Sequence, residues 1–348
     1  MRQWRPIPCE SLCPLAGRGL CLTIFLYIRR ALGGDGGRRG LTVSQERQTK
    51  PAGALSSRVA KYGYLFILPW VIGFLVFIAG PMLISVFLSL TKYDLAQVEF
   101  VGLENYRFLI LEDPLFWKSL LNTAIYVGAS VPLGLTGSLL LAMLLSTKIR
   151  GMSVFRTIYY LPSITPAVAS ALLWMWIFHP DIGILNHALR GLGLDNPPGW
   201  LQSESWALPA FIVMSLWGIG GARMIIFLAG IQNVSDHYYD AAKIDGANAW
   251  QRFIHITIPL ITPVIFFNLV LGVIGAFQVF ASAYVMTNGG PNNATLFYAL
   301  YLYRNAFQFF KMGRASAMAW ILFGILFLFT WVQFKRSRRW VHYEGELA

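Results

Sequence analysis

Residues 232–260, QNVSDHYYDAAKIDGANAWQRFIHITIPL, carry the most specific spacing in this 348-residue chain. Their side chains suit contact rather than catalysis. Asp240 supplies a charge, Ala241 and Ala242 a compact surface that lets another molecule approach closely, and Gly246 a backbone that turns freely into positive φ. Ser235 or Asp236 can cap one short helix and Asn248 a second, because their side-chain oxygens accept the orphan amide protons of a first turn. Phe253 and Ile254 offer apolar anchors. Ile256 and Pro259 lead into the next apolar run, where proline fits the first turn of a helix. Two short helices joined at a glycine are expected. An amphipathic loop that only ties two neighbouring helices together is the plainer reading of the same residues.

Two other groups could touch a solute. The stretch IGAFQVFASAYVM (274–286) places Phe277, Gln278, Phe280 and Tyr284 on one apolar run. Aromatic faces with a few polar groups suit sugar binding. An unpaired amide in hydrocarbon is costly, so a hydrogen bond to a neighbouring helix also accounts for Gln278. Arg223, in GIGGARMIIFLAG (218–230), sits some seven residues from the end of its run. It can snorkel to headgroups or pack between helices over that distance. A guanidinium also binds phosphate bidentately, which makes a phosphate-bearing solute the alternative.

Catalytic sets are missing from the sequence. No GxxxxGK[ST] stretch exists to cradle a nucleotide phosphate. The five histidines are scattered, and Cys9 and Cys13 lack the second Cys or His pair that a zinc site needs. No metal and no catalytic residue is expected.

The elements that position these residues are membrane helices. With 56% hydrophobic and only 13% charged residues, the chain has too little charge to cover a soluble domain. Six apolar runs, near Tyr62–Leu90, Leu120–Leu145, Phe155–Phe178, Trp206–Gly230, Ile258–Val285 and Ala315–Phe334, are each long enough to span a bilayer as a helix. Strand-like alternation is absent, and lipid demands internally paired backbone, so helices are expected rather than a barrel. The fold class is an all-α integral membrane protein with six transmembrane helices. Residues 1–57 read as a disordered cytoplasmic leader or an overcalled start, because the apolar stretch Leu20–Ile28 is too short to cross. Residues 58–334 form the six-helix body, with a cytoplasmic loop at 231–257, and 335–348 a basic tail. Lys and Arg number 20 on the side of the N-terminus and 7 on the other, which puts both termini in the cytoplasm.

The net charge of +12 does not point to nucleic acid, because the basic residues flank apolar runs instead of forming a face with interleaved aromatics. A secondary transporter or channel is the rival class. Ion coupling usually leaves carboxylates near the midplane, and the six runs contain no Asp or Glu.

The spacing of Asp240-Ala241-Ala242, Gly246, Ile256 and Ile258-Pro259 resembles the "EAA" loop of binding-protein-dependent ABC permeases, with Asp240 for the family's Glu and Ile258 for its Leu. FVGLENYRFL (100–109), FRTIYYLPSITPAVASALLWMWIFHPDIGILN (155–186) and MTNGGPNNATLFYALYLYRNAF (286–307) are similar to sugar-type permeases of the maltose and glycerol-3-phosphate importer group, and to the first of the two permeases paired there. That resemblance implies a type I ABC importer permease fold in a bacterial or archaeal inner membrane. It implies that 231–257 docks on a separate ATPase, using Asp240, Ala241, Ala242, Gly246, Phe253, Ile256 and Pro259. The implied partners are a second, homologous permease in a heterodimer, two ATPase subunits that bind ATP and Mg, an extracytoplasmic solute-binding protein, and membrane lipid. The fifth run, near Gln278, would line the translocation path of a carbohydrate or polyol.

Overall fold

The computed structural model describes residues 55–93, 97–147 and 149–341. The leader expected at 1–57 and the end of the tail fall mainly outside them. The chain divides into two compact units, residues 1–69 and 70–348. The described part of the first is the opening of helix α1 (Leu55–Phe74), whose side chains from Lys61 onward are exposed.

The second unit is almost wholly helical. A π-helical turn (Leu75–Ala79) leads into α2 (Gly80–Ser89), then a two-stranded antiparallel hairpin, β1 (Thr91–Tyr93) and β2 (Val98–Phe100), with Lys92 opposite Glu99. Next come α3 (Glu104–Leu111), α4 (Pro114–Leu145), α5 (Met152–Ile164), α6 (Ala167–Ile177), α7 (Ile184–Gly191) and α8 (Glu204–Leu216). A 3-10 turn (Trp217–Gly220) precedes α9 (Ala222–Asn233), followed by α10 (Asp236–Ile244) and α11 (Ala249–Arg252). A π-helical turn (Phe253–Thr257) and α12 (Ile258–Leu260) enter α13 (Thr262–Phe277), and α14 (Ala281–Met286) continues its line. The last elements are α15 (Tyr298–Tyr303), a π-helical turn (Arg304–Gln308) and α16 (Met312–Ser337).

Four helical stretches are long and apolar enough to cross a membrane: Lys61–Ser89, Pro114–Leu145, Thr262–Met286 and Met312–Ser337. Two more candidates are bent pairs, α5 with α6 at 95° and α8 with α9 at 46°, so the number of spans is four, or up to six if each pair counts as one. The sharper bend has a local cause. Thr165 precedes Pro166, whose ring disfavours α geometry in the residue before it, and Thr165 is extended at φ −65°, ψ 128°.

Helix α4 is the spine, packing on α8, α9, α13 and α15. Half of its buried residues are small: Ser119, Thr123, Ser130, Gly134, Ser138 and Ala142. Such a stripe lets helix backbones approach closely where lipid tails supply no hydrophobic drive. Asp113 caps α4, accepting from the amides of Leu115 (3.0 Å) and Phe116 (3.3 Å). It also accepts a 2.6 Å hydrogen bond from the Tyr301 hydroxyl, fastening α15 to the start of the spine. Burial first, then this carboxylate, raises the Tyr301 phenol above its ordinary value. Around that end lies the main core, with Phe116, Phe211, Phe297 and Tyr298 buried against one another.

Candidate functional site

The helical hairpin at 235–257 is built as its residue types suggest. Ser235 caps α10, its hydroxyl accepting from the His237 amide at 3.4 Å. The helix ends at Gly246, φ +76°, with the Gly246 amide donating to the Lys243 carbonyl (3.1 Å) and the Ala247 amide to the Ala242 carbonyl (2.9 Å). Those two bonds define a Schellman end, which needs a left-handed residue at this position. Asn248 then caps α11 in a capping box with Gln251, both bonds at 2.8 Å. A Tyr239–Thr257 hydroxyl pair at 3.0 Å ties α10 to the π-helical turn.

This hairpin presents an unusual surface. Asp240 and Ala241 are exposed and Ala242 is half-buried. Lys243 donates to Asp240 at 2.9 Å, and this bond, then the lysine's charge, holds the Asp240 carboxyl below its usual value. Phe253, Ile256 and Pro259 are half-buried, so their contacts are shared with the hairpin's own base. Ile254, an anchor expected from the sequence, is exposed (41%), and two further outward apolar groups are Ile244 (87% exposed) and Trp250 (66% exposed). Sequence reasoning missed both, although an Ile and a Trp on short polar helices are themselves a signal of a docking surface. A cleft of about 1070 Å³ opens beside α10, lined by Arg156, Gln232, Tyr239, Asp240 and Arg252 among others. Arg156 there donates to the Leu145 carbonyl at 2.8 Å, closing the turn between α4 and α5.

A second group of residues surrounds two interruptions in the apolar helices. The run at 262–286 loses regular geometry at Gln278, and Phe280 lies off the helix at φ −133°, ψ −60°. Gln278 is exposed here. Phe280 and Tyr284 stack at 5.6 Å, and Tyr303 closes on both at 4.9 and 5.5 Å, with Phe307 beyond it at 5.1 Å. Tyr303 and Phe307 extend the aromatic platform beyond the residues picked from the sequence. Phe277 does not belong to it: its side chain is buried against Phe329.

The second interruption is the 3-10 turn at Trp217–Gly220. Gly220 packs so tightly on α5 that an added Cβ would collide with the Tyr159 carbonyl. Trp217 is 53% exposed at this break and meets Trp174 edge-on at 5.8 Å. Arg223 follows directly. Its guanidinium extends into the bundle, where a Cβ at Gly134 would lie 2.8 Å from Nη1 and one at Gly272 3.6 Å from Nη2. It packs between α4 and α13 and does not reach for the helix end. Irregular backbone at membrane depth is tolerated where it lines a cavity or is covered by protein, so both breaks mark places where polar groups can be met.

The turn Asn288–Pro291 is held from several sides. Lys118 donates to the Asn292 carbonyl (2.6 Å), Asn122 to the Asn293 carbonyl (3.0 Å), Thr295 to the Gly290 carbonyl (2.6 Å), and Arg304 to the Asn288 carbonyl. It is a structural turn. Among the described residues no group of three or more His, Cys, Asp or Glu could hold a metal ion.

Comparison with known proteins places this geometry in context. Residues 120–341 match the family described as "Binding-protein-dependent transport system inner membrane component". The probable ABC transporter permease protein YesP of Bacillus subtilis (strain 168) is 46% identical over 288 residues, covering 82% of this chain and 93% of that one. The lactose transport system permease protein LacF of Rhizobium radiobacter is 35% identical over 281 residues, 79% of this chain and 94% of that one. A solved bacterial ABC transporter involved in the import of the acidic polysaccharide alginate superposes with a TM-score of 0.72 at 26% identity, covering 82% of this chain and 98% of that one.

Proposed function

This chain belongs to the family of binding-protein-dependent transport system inner membrane components, and on that premise we propose that it is the permease subunit of an ATP-driven ABC importer for a carbohydrate. The relatives named for lactose and alginate support the solute class. Its six spans, counting each bent pair as one, form half of a pathway that a second, homologous permease completes. Both termini face the cytoplasm, and a solute-binding protein delivers solute from the other side, as the family's description suggests.

One observation carries the reading of energy input. The hairpin at 235–257 is capped at both helix starts and closed by a Schellman end, yet it exposes Ile244 and Trp250. A rigid motif with apolar groups turned outward is built to dock. In this proposal it docks on a separate ATPase subunit, which binds ATP and Mg. Asp240, Ala241 and Ala242 give the contact surface, and Gly246 sets the angle between the two helices. Phe253, Ile256 and Pro259 join the hairpin to the membrane helix it moves. ATP binding draws two ATPases together and carries the hairpins with them, so the two permease bundles rock between inward and outward access. Solute passes the break at Gln278 and the aromatic platform of Phe280, Tyr284 and Tyr303.

Co-purification tests this. The chain should be recovered with a second permease and an ATPase, and ATP-driven uptake should require all of them. Solute transport by this chain alone in ATP-free vesicles would overturn the proposal.

A further inference from the structure

We infer that Arg223 is an oxyanion-recognition residue of the solute path, so that the carbohydrate carried bears a carboxylate or phosphate group. The inference rests on the importer reading above. Depth is the first observation. The guanidinium lies against Gly134 and Gly272, which are 11 residues from Leu145 and 10 from Thr262 along their helices. At about 1.5 Å per residue this is roughly 15 Å inside each helix end, near the middle of a hydrocarbon layer about 30 Å thick. Headgroups are out of reach from there.

Its surroundings are the second observation. Among the described residues the guanidinium has no ion-pair or hydrogen-bond partner, and the one Asp or Glu in the stretches that could cross the membrane is Glu204, at the first position of α8 and 19 residues before Arg223. The Tyr126 hydroxyl, beside Ser130 and Ser215, is the polar group nearby. A permanent cation at this depth is costly and is usually paired or functional. Gly134 and Gly272 leave it room that a methyl group at Gly134 would remove. Position in the path is the third. Arg223 comes two residues after the break at Gly221, and Gly272 lies six residues, about 9 Å, before the break at Gln278. The side chain is only half-buried, so part of it remains reachable. A planar fork of donors in such a place matches a carboxylate or phosphate, which it binds bidentately.

The test is labelling of Arg223 by phenylglyoxal in the assembled importer, read by peptide mass, with alginate trisaccharide, glycerol 3-phosphate or maltotriose present. One of the two anionic probes should slow labelling about tenfold, the value of one charge-assisted hydrogen bond, and maltotriose should not. Which anion protects separates carboxylate from phosphate. Equal labelling with all three, or no labelling without solute, overturns the inference. Uptake by Arg223→Gln supplies the second readout: selective loss of anionic solute at an unchanged unfolding midpoint supports it, and equal loss of anionic and neutral solute overturns it. An importer that carries only neutral sugars sinks this inference while the importer reading stands. Absence of ATP-driven uptake of any carbohydrate sinks that reading itself.

Discussion

Replacing Gly246 by alanine isolates one backbone angle. An added Cβ at this position meets nothing within 4 Å, so no steric clash contributes. What remains is the cost of holding an L-residue at φ +76°, roughly 1–2 kcal/mol. That energy falls on the two bonds closing α10, from the amides of Gly246 and Ala247. At about 1.4 kcal/mol per tenfold, local opening should become 5- to 30-fold more frequent by rough estimate. Amide hydrogen exchange at residue 247 in the assembled importer measures this directly. Uptake per ATP hydrolysed should fall with it, because the hinge between α10 and α11 loses its set angle. Gly246→Asn is the control, since asparagine enters the left-handed region more readily, and its exchange should lie between wild type and the alanine variant. An alanine variant exchanging like wild type would refute the reasoning, as would an asparagine variant as labile as alanine.

Gly220→Ala drives a methyl group into the Tyr159 carbonyl, and because backbone must move, thermal unfolding in detergent should show a loss of about 2 kcal/mol or more. Asp113→Ala removes a cap and orphans the buried Tyr301 hydroxyl, costing roughly 2–4 kcal/mol in the same assay. Tyr303→Ala opens the aromatic platform and should lower uptake about fivefold, the scale of one aromatic contact, together with a loss of roughly 1–3 kcal/mol in unfolding as its ring contacts with Phe280, Tyr284 and Phe307 go. For Asp240 the folded carboxyl titrates below its unfolded value of about 4. The Lys243 contact is therefore complete above that value and is lost only as pH falls through the lower, folded one. A carboxyl NMR titration should show the Asp240 carboxylate still ionised between pH 7 and 5.

The hairpin was legible in the sequence because its signals are local. Ser235, Gly246 and Asn248 act on backbone within a few residues, so spacing alone foretold two capped helices and a left-handed link. The apolar runs were legible by length, but their breaks were not. The break at 165–166 has a local cause in Pro166, but at 217–221 and 278–280 packing decides where the helix interrupts. Pro166 marks one break, yet Pro132 lies within α4 without dividing it. The same limit governed the candidate solute contacts. Phe277 and Phe280 are alike in type and three residues apart, but one faces Phe329 and the other the platform of Tyr284 and Tyr303. Arg223 points inward because two distant glycines leave space for it, which no window of nearby residues reveals.

The small-residue face of α4 bears on how this protein can evolve. A soluble core is guarded against polarity, since its interior must stay apolar. Along Ser119, Thr123, Ser130, Gly134, Ser138 and Ala142 the constraint is bulk instead. At Ser119, Ser130 and Ala142 exchanges among serine, alanine and glycine should drift freely, whereas Gly134 is held by the Arg223 guanidinium beside it and Ser138 by its bond to the Ile219 carbonyl. A leucine, though more hydrophobic, should be purged, because it would push α8, α9 and α13 off the helix they share.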